Sequence, residues 1–221
     1  LGRDVLALPG RIFDATAMGA NADHLVAMLT RRGLATGLLE VEGAPPAVYG
    51  VKRVPGAKRT VVFYAHYDGQ PVDTTQWATK PWAPTLRDKP LADGGAMIPL
   101  PATPGTARGE WRLYARSAGD DKSPIVAMLA ALDALRATGS RPSVNLKFFL
   151  EGEEEAGSPH LREMLTKHAQ LLRADAWLFC DGPVHQSRAQ QILYGVRGVM
   201  GAELTVYGPK RALHSGHYGN W

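Results

Sequence analysis

Residues 60–66 read Thr60-Val-Val-Phe-Tyr-Ala-His66. The run is almost continuously apolar, rich in β-branched and aromatic side chains, and follows the Pro55-Gly56 turn. That is the signature of a strand buried on both faces at the centre of a sheet. Val144 to Leu150 has the same character, and Ala176 to Asp181 reads as a third strand. Between them, Ser123 to Thr138 sets Ile125, Met128, Leu129, Leu132 and Leu135 on one helical stripe, and Pro159 to Leu172 reads as a second helix. Strand alternating with helix predicts an α/β fold, a mostly parallel twisted sheet with helices on both faces.

Working outward, Asn21 to Arg32 reads as an amphipathic helix that opens on an N-cap asparagine, carries Leu25, Met28 and Leu29, and stops at Gly33. Leu38 to Glu42 and Ala47 to Arg53 are short strands. Tyr67 to Gly109 is a long excursion containing Pro71, Pro81, Pro84, Pro90, Pro99, Pro101 and Pro104. Loops of that length in a compact domain are usually functional or disordered. Beyond Asp181 the pattern becomes two alternating strands, Gln191 to Val196 and Gly198 to Tyr207, with no helix between them. This divides the chain into a first domain, 1–195, and the beginning of a second, 196–221.

Composition bounds the function. Hydrophobic residues are 45% and charged residues 21%, as in ordinary globular proteins. The formal charge is +4, but the basic residues are scattered (Arg31 and Arg32, Lys52 and Arg53, Lys210 and Arg211), which argues against a nucleic-acid surface. Cys180 is the only cysteine, so any metal must be held by histidine and carboxylates. No apolar run approaches the roughly 18 residues of a membrane span. No signal-peptide pattern opens the chain, which slightly favours the cytoplasm. It begins at Leu1 rather than Met, so periplasmic or secreted locations stay open.

The chemistry-bearing residues fall at element ends. His66 and Asp68 follow the first buried strand, Asp120 and Asp121 precede the Ser123 helix, Glu153, Glu154 and Glu155 follow the Val144 strand, and Asp181 ends the Ala176 strand. Open α/β sheets bind ligands at the carboxyl ends of their strands. Each group alone reads as a surface histidine, a helix cap or a solvated acidic turn. Together at one sheet edge they would repel one another unless protonated or neutralised by cations. Two divalent ions roughly 3.5 to 4 Å apart, bridged by one carboxylate, would do so.

The segments Ala65-His-Tyr-Asp68 with Gln70-Pro-Val-Asp73, Tyr114-Ala-Arg-Ser-Ala-Gly-Asp-Asp-Lys122, Glu151-Gly-Glu-Glu-Glu-Ala-Gly-Ser158, Cys180-Asp181 and Leu213-His-Ser-Gly216 resemble the zinc-dependent peptidases. That family includes carnosinase-like dipeptidases, glutamate carboxypeptidase, aminoacylase and succinyl-diaminopimelate desuccinylase. The likeness runs from about His66 to the last residue. It implies two Zn2+ ions, with Mn2+ or Co2+ also fitting such ligands. His66 and Asp181 would hold one ion and Glu155 the other, with Asp120 bridging. Asp68 would orient His66, and Glu154 would be the general base. His214 would be the lid histidine that, in dimeric members, reaches into the partner subunit's site, so residues from 196 on would begin a lid and dimerisation domain. His24, His160, His168, His185 and His217 lack motif support and read as surface residues.

Ala115, Ser117 and Ser123 stand where the family usually has glycine, and the stretch from about Asp88 to Glu110 is longer than its usual linker. The family's remaining histidine ligand lies after the lid, whereas this chain stops at Trp221. The resemblance therefore implies a front part of the enzyme, inactive or nearly so alone. The implied reaction is hydrolysis of the amide bond of a dipeptide or similar small peptide. N-acyl amino acid deacylation, and a non-catalytic relative serving binding or dimerisation, are the alternatives. Phosphoester hydrolysis shares the two-metal logic, but no phosphate cradle or arginine clamp is legible.

Overall fold

The computed structural model describes residues 14–100 and 107–216. They divide into two units between Gly182 and Pro183. In the first unit α1 spans Ala15–Thr30, β1 Ala35–Leu39, β2 Ala47–Lys52, β3 Thr60–His66, β4 Thr85–Arg87, β5 Met97–Ile98 and β6 Arg112–Tyr114. Then follow α2 at Ser123–Ala137, β7 at Asn145–Glu151, α3 at Leu161–Lys167, α4 at Ala169–Leu172 and β8 at Ala176–Phe179.

The α/β expectation holds, with a mixed sheet. Strand order is β1-β2-β7-β3-β8. β7, β3 and β8 run parallel, as crossovers through α2 and through α3 and α4 require, whereas β1, β2 and β7 pair antiparallel. The link between β1 and β2 is too short for a crossover, so the chain doubles back. Helix α1 starts before Asn21, because the Asp14 side chain accepts the Ala17 N–H at 3.0 Å and supplies the cap. The single helix expected over Pro159 to Leu172 is broken at His168 into α3 and α4.

Apolar side chains on both sheet faces make two cores. On one, Leu25 and Leu29 of α1 and Ile125 and Leu129 of α2 cover Val48, Leu146, Phe148 and Leu150. On the other, Met164 and Leu172 cover Leu39, Tyr49, Val62, Tyr64 and Phe149. Full burial of each such side chain stabilises by about 1.5–3 kcal/mol. Between these two cores the carboxyl ends of β3 and β7 are buried, His66 at 0% and Glu151 at 3% exposure.

Within the long Pro-rich excursion β4 and β5 are ordered and join β6, just beyond it, in a second sheet, β5-β4-β6, antiparallel throughout, with Leu86 opposite Leu113. In the second unit the strands expected at Gln191 to Val196 and Gly198 to Tyr207 are not formed. A strand needs a neighbour for its N–H and C=O groups, and no ladder joins any segment among the described residues there. Their alternating apolar side chains stay in solvent, Tyr194 at 95% and Val199 at 99% exposure. His214 is exposed, and its Nδ1 accepts the Gly216 N–H at 3.0 Å. His217 lies outside the described residues. Among the described residues no helix is long and apolar enough to cross a membrane.

Candidate metal centre

His66 ends β3, in register with Glu151 at the end of β7, and is fully buried. Its Nδ1–H donates to Asp68 Oδ1 at 3.0 Å, which fixes the ring. Its Nε2 faces three acids: Asp120 Oδ1 at 2.9 Å, Glu154 Oε2 at 3.7 Å and Asp181 Oδ2 at 3.9 Å. These arrive from three elements: the loop before α2, the turn after β7 and the end of β8. Asp181 is set there because the Cys180 N–H donates to the Tyr64 carbonyl at 2.9 Å, extending the β3–β8 pairing past Phe179.

The loop before α2 turns at Ser117, a non-glycine residue with φ of 61°. This is one of the positions where the resemblance leads one to expect glycine. Asp120 then points outward, while Asp121 turns inward and accepts the His66 backbone N–H at 3.1 Å. Lys122 is fully buried and its Nζ donates to Asn21 Oδ1 at 2.8 Å. Asn21, expected as an N-cap, is instead a buried residue inside α1.

The acidic run that begins at the last residue of β7 is divided among four tasks. Glu151 is buried and accepts the Tyr64 hydroxyl at 2.6 Å. Glu153 is buried and accepts the His160 backbone N–H and its Nδ1–H, each at 2.9 Å, so His160 is a turn-forming partner rather than a free surface histidine. Glu154 faces His66. Glu155 accepts from Gln70 Nε2 at 2.9 Å, and its own N–H donates to Asp68 Oδ2 at 3.0 Å. Gln70 is in turn held by Arg116, whose Nε donates to the Gln70 carbonyl at 2.9 Å. Two glycines shape the turn. Gly157 closes it at a φ of +83°, and a Cβ on Gly152 would fall 2.6 Å from the Tyr67 hydroxyl.

Electrostatics follow from this crowding. Burial works against a charged His66 ring, but the Asp68 hydrogen bond and the charges of Asp68, Asp121 and Asp181 together raise its pKa to about 9. Burial, with the charges of Asp181 and Asp120, raises Asp121 to about 7. Burial and neighbouring acids also raise Asp181 and Glu154, against the opposing pull of His66. Burial lowers Lys122 to about 7. A set of acids that raise one another's pKa at one sheet edge is the donor set a divalent cation would relieve. His66, Asp121 and Asp181 each offer a ligand atom within 4.8 Å of the others.

The structure therefore brings His66, Asp68, Asp120, Glu154 and Asp181 together and leaves Glu155 on the Asp68 side, held by Gln70. His214 belongs to the second unit. Asp121, Lys122, Glu151, Glu153 and Gln70, to which sequence reasoning assigns no separate role, and Asn21, to which it assigns only that of a cap, stand around these residues. The Asp-Asp pair and the acidic run mark only their neighbourhood.

The profile of Peptidase family M20/M25/M40 matches residues 62–195, more than half of the chain. The Cys-Gly metallodipeptidase dug1 of Schizosaccharomyces pombe is 31% identical over 178 residues, covering 79% of this chain and 33% of the relative. The human Beta-Ala-His dipeptidase is 32% identical over 178 residues, covering 79% and 31%. Among solved structures, an M20 family metallo-carboxypeptidase from Sulfolobus solfataricus superposes with a TM-score of 0.63 at 29% identity, covering 81% of this chain and 36% of that one. The chain spans about a third of the length of these curated relatives.

Proposed function

Because the chain belongs to peptidase family M20/M25/M40, we propose that it carries most of the metal-holding centre of a hydrolase that cleaves the amide bond of a dipeptide or similar small peptide. The observation that carries this is the convergence of Asp120, Glu154 and Asp181 within 3.9 Å of one buried imidazole nitrogen. His66 and Asp181 would hold one zinc ion and Glu155 the second, with Asp120 between them. Two such ions lower the pKa of water and polarise the scissile carbonyl.

The chain's own residues do the rest. Asp68 holds the His66 ring by its Nδ1–H, so that Nε2 is presented to the open edge. Asp121 ties the loop bearing Asp120 to β3 through the His66 N–H. Glu154 takes the proton of the attacking water and hands it to the leaving amine. Burial and the neighbouring acids raise its pKa, bringing it closer to that of a base working near neutrality. His214 would serve a lid domain that begins near residue 196, reaching a partner subunit's site in a homodimer and stabilising the oxyanion.

The deciding experiment is Glu154→Gln in the full-length protein, assayed on a dipeptide panel with metal content measured alongside. Turnover should fall by about 10²-fold or more while metal content is unchanged. Turnover at the unsubstituted level would remove Glu154 from the role of base.

A further inference from the structure

Lys122 and Asn21 are 101 positions apart, yet Lys122 Nζ lies 2.8 Å from Asn21 Oδ1 in the interior. Lys122 is 0% and Asn21 1% exposed. The amide of Asn21 is oriented: its Nδ2 donates to the Ala17 carbonyl one turn back in α1 at 2.8 Å, which leaves Oδ1 turned to the lysine. A buried ammonium and a buried amide are costly to desolvate, and an apolar pair of similar volume would commonly serve a core as well or better. Met18 and Leu25, three positions before and four after Asn21, and Ile125, three after Lys122, belong to the buried apolar core. Packing therefore does not explain them.

We propose that Asn21 and Lys122 are positioning residues, a buried bolt from α1 that sets where the Asp120 carboxylate stands relative to His66. Lys122 follows Asp121, and Asp121 grips the His66 N–H at 3.1 Å. The loop is thus pinned to β3 by Asp121 and to α1 by Lys122. Asp120 projects from it with a side chain 72% exposed, so packing does not hold its carboxylate in place. Its Oδ1 meets His66 Nε2 at 2.9 Å, and the two anchors behind it set where the loop that carries it stands. Groups behind metal ligands commonly change metal affinity about 10- to 100-fold.

This inference rests on the metal-centre reading, and its test separates the two. In the full-length protein, zinc affinity is measured by chelator competition, together with melting temperature, kcat and KM, for Asn21→Leu, Asn21→Asp and the double variant Asn21→Leu/Lys122→Met. The double variant replaces both polar groups with an apolar pair and so guards against misfolding. It should melt near the unsubstituted protein, yet bind zinc about 10-fold more weakly and turn over more slowly at little-changed KM. Asn21→Asp, which keeps an oxygen facing Lys122, should hold zinc nearly as well as the unsubstituted protein. A folded double variant with unchanged zinc affinity, or Asn21→Asp as impaired as Asn21→Leu, overturns the bolt alone. If the unsubstituted protein takes up no zinc, the metal-centre reading falls and the bolt with it.

Discussion

His66 Nε2 and Asp120 Oδ1 lie 2.9 Å apart, although 54 positions separate the residues in the chain. The imidazole is wholly buried and the carboxylate side chain is 72% exposed, so the pair spans the boundary between core and solvent. A hydrogen bond joins the two, while the pKa of His66 is raised, against its burial, by the Asp68 hydrogen bond and the charges of Asp68, Asp121 and Asp181.

Removing the imidazole should empty the centre. His66→Ala is expected to abolish stoichiometric zinc uptake, measured by elemental analysis of the full-length protein, and Asp68→Asn to weaken it about 10- to 100-fold by releasing the ring. Unchanged zinc in His66→Ala would place the ion elsewhere.

Metal-free protein should lose stability as pH rises from about 4 to 7. Asp121 has its pKa raised from 3.8 to about 7 in the folded state. Across that window the folded chain keeps a proton that the unfolded chain has released, and the advantage disappears as pH passes the folded value. Asp181, Glu154 and Glu151 shift in the same direction. His66, raised from 6.5 to about 9, extends the loss above neutrality, where Lys122, lowered from 10.5 to about 7, opposes it. Urea midpoints at pH 5 and pH 7 with chelator should therefore fall with pH, and saturating zinc should remove the fall. A chelated midpoint that rises between those pH values would contradict the crowding of the acids.

Ser117→Gly should stabilise. Ser117 sits at a φ of 61°, and its buried hydroxyl has no hydrogen-bond partner among the described residues. Relief of the left-handed strain and of the orphaned hydroxyl outweighs the entropy lost with glycine, for a net gain of about 1 kcal/mol. A chain of this size would then melt about 2–4 °C higher in a calorimetric scan.

Gly152→Ala should destabilise by about 1–3 kcal/mol, because overpacking forces a buried group to move. The new Cβ would meet the Tyr67 hydroxyl, which is fixed by its bond to the Pro46 carbonyl. Thermal melts read the loss, and zinc affinity should fall with it, since Glu154 and Glu155 follow in the same turn.

Sequence alone determined the α/β class, the central strand at Thr60–His66, the helix beginning at Ser123 and the placement of His66, Asp68, Asp120, Glu154 and Asp181 at element ends. Those features are local: apolar runs, helical periodicity and motif spacing are properties of neighbouring residues. Tertiary structure alone decided which acid of Glu151–Glu155 faces His66, because that depends on where Tyr64, His160 and Gln70 stand. It also turned Asn21 from an expected cap into the buried partner of Lys122, doubled β1 back on β2, and left the apolar alternation at 191–207 without a ladder. Hydrogen-bond partners and burial are relations between segments far apart in the chain, and a pattern within one segment does not contain them.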